Sequence, residues 1–502
     1  MRGEVVWTRA RRDVPPLPPL AANAEVDVVI VGGGIVGLAA ARLLAENRRV
    51  MLLEAARIGG GATGRSTAKA TSQHGPIYRS LVQDIGEAGA RAYAQANEAA
   101  IGWIADVARA GAGDAFTRAD AFVFARDADE ADGLHEEAQV AARLGLPADF
   151  AAEAAIGLPH AGVLRFTSQG SINPSILLRD LAASLRGRAA LHEGTRVVAV
   201  EHGEPCVVRT TTATVKARWV IVATQIPIVP EGRFFARVFP HAHAVVAARQ
   251  DRLANGIMAI SAGEPTRSFH TARVAGENWL VATGEPFRPG DAGTQAAAFA
   301  TLAAFLHESF GLTPELGWVN EDFRPMDGLP FVGPATGATP NLLVATGFDA
   351  WGITTGVVAG HVLAAIIEGR EHPLAPVLDA ARLRPLKGGS TFFTENARTG
   401  LRMVRDRAFG GRVANADAIR PGKGGVIRHR GQQVALSRDE SGRPTAVSAI
   451  CTHLGCVVGW NGVDRTWDCP CHGSRFSASG EVLCGPAVAP LEPVDLDAGP
   501  ES

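Results

Sequence analysis

At 502 residues the chain is long enough for two or three domains, each with its own core. Its 49 lysines and arginines nearly balance 51 aspartates and glutamates, for a net charge of −2, which speaks against the clustered basic footprint of a nucleic-acid binder. Five of the six cysteines fall at or after Cys451, so the chain is no secreted disulfide scaffold, and Cys206 reads as an inert core residue. Only Lys69, Lys216, Lys387 and Lys423 are lysines, which makes a lysine inside a motif worth noting.

Residues 1–24 are rich in proline and arginine and read as an extended arm. Arg11 and Arg12 invite a twin-arginine export signal, but DVPPLPPLAANAEVD follows in place of an apolar stretch, so a cytoplasmic protein is expected. No run of 18 apolar residues predicts a membrane span; Gly352 to Ile367 comes nearest and reads as a buried core helix.

Val26 to Val31, GGGIVG, LAAARLLAENRR and VMLLE spell strand, turn, helix and strand. Gly32 serves the tight turn, Gly34 the close approach of a pyrophosphate, and Gly37 the helix packing; Ile35 and Val36 open the helix whose N-terminus faces the phosphates. Glu54 ends the second strand 20 residues after Gly34, placed for the ribose hydroxyls of an adenosine. This fingerprint alone does not separate FAD from NAD.

The next stretch, IGGGATGRSTAKATSQHG from Ile58 to Gly75, is small and hydroxylated, so its backbone can lie along a long cofactor. It resembles the flavin-contacting loop of the D-amino-acid oxidase superfamily, which includes glycine and sarcosine oxidases. The version with Thr63, Gly64, Thr67, Ala68 and Lys69 is similar to bacterial members that carry a C-terminal Rieske domain. The resemblance implies an α/β Rossmann-type FAD-binding domain with an antiparallel-sheet substrate domain, over about 25–375. Flavin segments fall at about 25–75, 165–240 and 325–370, and substrate segments at about 76–164 and 241–324.

Within that frame, 76–164 reads as mostly helical, and NPSILLRDLAASL as a helix opening after Asn173 and Pro174. His192–Val200 and Val215–Thr224 read as strands, the second with Gln225 where the superfamily has glycine. HAVVAA, GIMAIS, TRSFHTARV and NWLVATGE alternate like an antiparallel sheet. DGLPFVG and NLLVATGFDAWGITTG return to the flavin, with Gly347 and Gly352 ahead of a helix from Ile353 and Thr354 aimed at the flavin ring. No cysteine lies near these segments, so a covalent flavin bond would have to be to histidine; the FAD is expected to be noncovalent. Residues 376–410 read as a linker, with a helix over Thr391–Phe409, and 411–498 as a small all-β domain.

That last domain holds CTHLGC and CPCHGS. Cys451 with His453, and Cys469 with His472, are a ligand set for a Rieske [2Fe-2S] centre, two thiolates on one iron and two imidazoles on the other. The same four residues at CxH and CxxH spacing also suit a tetrahedral zinc site. From Ala449 through Pro486 the segment resembles the Rieske proteins of cytochrome bc and b6f complexes, GPA at Gly485–Ala487 included. Cys456 and Cys471 sit symmetrically in the two boxes, at a spacing that suits a disulfide over the cluster. By the resemblance Ser474 donates to cluster sulfur, while Phe476 replaces the tyrosine of high-potential members, so the midpoint is expected in the lower half of the range of roughly −150 to +300 mV.

The resemblances together imply oxidation of an amine or amino acid to an imine, with electrons passed singly through the cluster to an external acceptor, a protein or a quinone. The competing reading is an electron-transfer module without an amine substrate, relaying electrons between a partner protein or NAD(P)H and another acceptor; VATGEPFRPG, the nearest candidate, lacks the second GxGxxG that a nicotinamide site requires. Candidate catalytic residues are Lys69 near the flavin, Arg267 as a carboxylate clamp, His270 beside it, and Trp351 as a pocket wall. Each has a plainer alternative: phosphate contact, a solvated strand face, an opposite strand face at odd spacing, and core packing. His74 reads equally as a site residue or a satisfied core histidine.

Overall fold

The computed structural model describes residues 3–10, 15–111, 113–409, 413 and 415–496; Arg11 and Arg12 lie outside them, as do 410–412, 414, 497 and 498 around the edges of the last domain. Two large sheets build the first three-quarters of the chain. In one, the strand Ala24–Val31 pairs in parallel with Thr214–Val222 and with Val50–Leu53, and Leu342–Thr346 extends the order beyond Thr214–Val222. These central strands are runs of Val, Ile and Leu because both faces are covered. The helix Ile35–Leu44 packs on the helix Thr354–Glu368, which is apolar almost all round and buried accordingly. No helix among the described residues is long and apolar enough to cross a membrane.

The second sheet has nine strands and is antiparallel along Leu316–Pro325, Val238–Arg249, Glu277–Phe287 and Arg267–Val274. Its far half departs from the sequence reading. Between the helices Tyr78–Ala110 and Ala128–Arg143 the chain forms the strand Phe116–Ala125, which pairs with Gly162–Ile172 and, in parallel, with Met258–Ser261. Its alanines hide the strand signal; burial by sheet neighbours, rather than propensity, sets its conformation.

The N-terminal arm is also corrected. Val6–Ala10 is a turn of 3₁₀ helix, and Trp7 is fully buried, its Nε1 donating to the Ser66 carbonyl at 2.8 Å. Burial of one indole outweighs the freedom of the short segment that carries it. Beyond it, Leu17 and Leu20 amides donate to Glu193 and Thr195, holding the proline-rich strip against the edge of the first sheet.

The helix Pro385–Phe409 leads to the last domain, where Gly424–His429, Gln432–Arg438 and Pro444–Ser448 form one small sheet. Gly459–Asn461, Thr466–Asp468, Arg475–Ser477 and Val482–Cys484 form another, with Trp460 and Trp467 in the core between them. Trp7→Ala is expected to cost about 3 kcal/mol, as for other buried tryptophans, and a lowered urea midpoint of the purified protein measures it.

Candidate functional site

A cavity of about 670 Å³ begins at the first strand's glycine turn and runs to the helix Thr354–Glu368. Gly32, Gly34, Ile35, Val36, Glu54, Thr63, Gly352 and Ile353 line it. Gly37, Gly64, Thr67, Ala68, Gly347 and Thr354 are not among the lining residues, although Gly37 abuts Gly32 and Gly64 abuts Gly59, which are. Gly37 is required there, since a Cβ would meet the Gly32 carbonyl oxygen at 2.0 Å. Glu54 sits deep in the cavity and accepts from the amides of Gly33 and Ala56, both at 2.8 Å; burial nonetheless pushes its carboxyl up. Neither the helix starting at Ile35 nor the one starting at Thr354 has an N-cap side-chain bond; the Ile35 amide donates to the Thr63 hydroxyl at 3.2 Å, and the other first-turn N–H groups face the cavity as phosphate or flavin-carbonyl donors. An elongated, glycine-walled cavity with two such helix ends fits FAD.

The roof of the cavity comes from the antiparallel sheet and holds polar groups that sequence reasoning missed. Asn320, Glu321, Asp322 and Ala350 line it, and His241 and His243 pair in register with Asp322 and Asn320. The two imidazoles stand 4.9 Å apart, and burial holds both down at about 3, hence neutral. Burial pushes Asp322 up to about 7, although it accepts from the amides of Phe323 and Ala350. Nε2 of His243, Oδ1 of Asn320 and both Glu321 carboxylate oxygens find no hydrogen-bond partner among the described residues. Such orphaned groups are costly unless a ligand or water meets them. The available signal is His241 and His243 two apart, hence on one strand face.

The four candidate catalytic residues do not gather here. Lys69 is buried on the short strand Lys69–Ala70 of the nine-stranded sheet, where Nζ donates to the Ala259 carbonyl at 3.0 Å and to the Ser268 hydroxyl, and burial lowers it to about 7. His270 lies near it, bonded to the Thr67 carbonyl at 2.9 Å and the Ser171 hydroxyl at 2.7 Å. Arg267 is held by Glu285 at 3.1 Å and lies over the Phe305 ring. Trp351 stacks on His74 at 4.8 Å, and His74 is satisfied by Tyr93 and the Thr71 carbonyl.

In the last domain Cys451, His453, Cys469 and His472 converge, the two imidazole rings 5.0 Å apart. The thiols lie within hydrogen-bonding reach, and the proton they share lowers Cys451 to about 7 while raising Cys469. Burial keeps His453 at about 4 and His472 at about 3, neutral as ligands must be, and Nδ1 of His453 is buried without a partner. Two thiols on one side and two neutral imidazoles on the other fit a diiron cluster. Cys456 and Cys471 form a disulfide beside it, Cα to Cα 6.5 Å. Cys456, Cys469 and Cys471 have sulfurs within 4.8 Å of one another, but the disulfide removes two of them as metal ligands. Ser474 is fully buried, its Oγ accepting from the Ala487 amide, and Phe476 is fully buried too.

This domain docks onto the cavity itself. Asp464, Thr466, Arg475, Cys484 and Ala487 form part of the cavity wall. Arg475 reaches Asp464 at 2.7 Å, Asp468 at 3.1 Å and Glu321 at 3.7 Å, and Arg65 of the flavin-side loop reaches Asp464 at 2.5 Å. Gly473, with φ of +74°, lies so close to the roof that a Cβ would meet Glu321 Oε1 at 2.4 Å. Phe235 stands edge-on to both His453 and His472, at 5.3 and 5.5 Å.

Comparison with known proteins agrees with this geometry. A family described as FAD dependent oxidoreductase matches residues 27–366. The chain belongs to that family, the DAO family. Residues 411–495 match the Rieske [2Fe-2S] domain, so its cofactors are FAD and a Rieske [2Fe-2S] cluster. The putative Rieske 2Fe-2S iron-sulfur protein YhfW of Bacillus subtilis is 31% identical over 500 residues, 98% of each chain. A cytochrome b6-f complex iron-sulfur subunit of Chlorobaculum thiosulfatiphilum is 39% identical over 80 residues, covering 16% of this chain and 44% of that one. Glycine oxidase from Geobacillus kaustophilus shares the fold, with a TM-score of 0.59 and 21% identity over 72% of this DAO-family chain and 99% of its own.

Two expectations follow. From about pH 7 to 10.5 the unfolded chain keeps a proton on Lys69 that the folded chain has lost, so stability rises with pH through that window. Lys69→Met is expected to flatten this rise, by at most about 5 kcal/mol, in urea midpoints measured across the window. Phe476→Tyr adds a donor near the cluster; a charge-assisted bond of about 1.5 kcal/mol raises a one-electron midpoint by roughly 60 mV, read by protein-film voltammetry.

Proposed function

We propose that this DAO-family protein dehydrogenates a small amine-bearing substrate and exports the electrons one at a time to an external acceptor, a protein or a quinone. The observation that carries the reading is that the Rieske domain supplies part of the flavin cavity's wall. When bound, FAD supplies two-electron acceptance and the [2Fe-2S] cluster one-electron export.

In this reading Cys451, Cys469, His453 and His472 hold the cluster, and the Cys456–Cys471 disulfide and Phe235 keep water from it. Gly32, Gly34, Ile35, Val36, Glu54 and Thr63 hold the adenosine and pyrophosphate of FAD, and Gly352, Ile353 and the helix from Thr354 face the ring. Gly37, Gly64, Thr67, Ala68 and Gly347 shape the backbone behind it. His241, His243, Asn320 and Asp322 take the role of substrate contacts in place of Arg267 and His270. Neutral imidazoles beside Asp322 and Asp349 suit an amine better than a carboxylate, which would face two acids. Lys69 and Trp351 are assigned to positioning, within the sheet and beside the cavity. The likeness in fold to glycine oxidase agrees with oxidation at a carbon that bears nitrogen.

The test is anaerobic addition of N-methyl amino acids, simple amino acids and polyamines to the purified holoprotein, with flavin absorbance as the readout. One class is expected to bleach the flavin, and turnover with an added one-electron acceptor is expected to exceed turnover with oxygen alone. His472→Ala is expected to keep the bleaching and slow acceptor reduction by about tenfold or more, some 1.4 kcal/mol of barrier. Equal turnover with oxygen and with the acceptor overturns the proposal.

A further inference from the structure

The helix Pro385–Phe409 buries only one side. On the other, Leu386, Phe393, Leu401 and Val404 are exposed by 104%, 74%, 72% and 65%. Their spacing of seven, eight and three places all four within a sector of about 80° on the helix wheel. Large apolar side chains aligned in water mark an interaction surface.

The charges around this stripe are one-sided. Lys387, Arg398 and Arg405 run along one flank and Arg407 along the other, all of them exposed, with Lys387 paired to Asp84 of the helix Tyr78–Ala110. The helix holds five bases and two acids, and both acids, Glu395 and Asp406, lie on the opposite, protein-facing side, 18% and 10% exposed at the side chain. Arg398 and Arg405 reach across to Glu395 at 2.7 Å and Asp406 at 3.1 Å while staying 65% and 63% exposed. A second copy of the same face would bring like charges together, since an isologous contact sets each patch against itself. An anionic lipid surface supplies the missing charge and takes up the apolar row as well.

We propose that this helix lays the protein on an anionic membrane surface, its apolar stripe sunk among the acyl chains and its bases among the headgroups. The surface continues to the cluster. Arg407 Nε donates to the Gly455 carbonyl at 2.9 Å, and Leu454 beside it is 48% exposed. Docking would bring the cluster loop to where lipid-soluble acceptors reside, a consequence that rests on the electron route proposed above; the docking itself does not.

The experiment is sedimentation of the full-length holoprotein with phosphatidylcholine vesicles, with and without phosphatidylglycerol. Binding is expected only with phosphatidylglycerol, and it is expected to weaken as salt is added. Phe393→Asp with Leu401→Asp should abolish it, and Arg398→Gln with Arg405→Gln should weaken it by about thirtyfold. Flavin and cluster absorbance report that each variant stays folded, and the arginine pair, fully on the surface, serves if the apolar pair does not. Wild-type protein that ignores anionic vesicles overturns the proposal, as does a solution dimer that the Phe393 and Leu401 replacements dissociate. No substrate enters the measurement, so failure here leaves the proposed oxidation standing.

Discussion

Arg475 stands at the centre of a buried charge network that joins the two halves of the molecule. Burial alone would lower its guanidinium, but Asp468, Asp464 and Glu321 hold it raised, and Arg65 meets Asp464 from the flavin-side loop. Asp464 is held below the usual carboxylate range by Arg65 and Arg475 against the pull of burial. A network of this kind is weak evidence for net stability, because desolvation offsets much of the attraction. Its force lies in geometry: a removed member leaves an uncompensated charge, so the Rieske domain has one favourable seat. Asn461 reinforces that seat, accepting from Gln295 at 2.6 Å and donating to Asp468 at 2.8 Å.

From that seat the remaining contacts follow. Gly473, the residue after His472, touches Glu321, and Glu321 borders the cavity. Phe235 covers the histidine edge from the flavin side. A histidine edge turned toward its own flavin domain suits receipt of electrons from within the chain. The outer face of the linker helix is left to other partners.

Burial orders the cavity's electrostatics. His241 and His243 are kept neutral, Asp322 is shifted toward neutral pH, and Glu321 is raised by burial even with Arg475 nearby. Clusters of perturbed groups beside a cofactor cavity are characteristic of reactive sites. By contrast Lys69, His270 and Arg267 are engaged with partners outside the cavity lining, and their chemistry is that of a packed sheet.

CTHLGC, CPCHGS, GGGIVG and the small residues after Ile58 were readable in the chain because their chemistry is local. Ligand spacing, a glycine turn and a helix N-terminus each need only a few neighbouring residues. The helix from Thr354 and the helix opening at Asn173 were readable for the same reason. Tertiary structure alone decided that Trp7 anchors the arm, that Phe116–Ala125 is a strand, and that Arg267 is spent on Glu285. It alone brought His241, Asp322 and Asp349 together, and set Arg475 against Glu321 across 154 positions of sequence. Pairings of that range depend on which surfaces meet when separate sheets pack, and no periodicity or spacing along the chain records them.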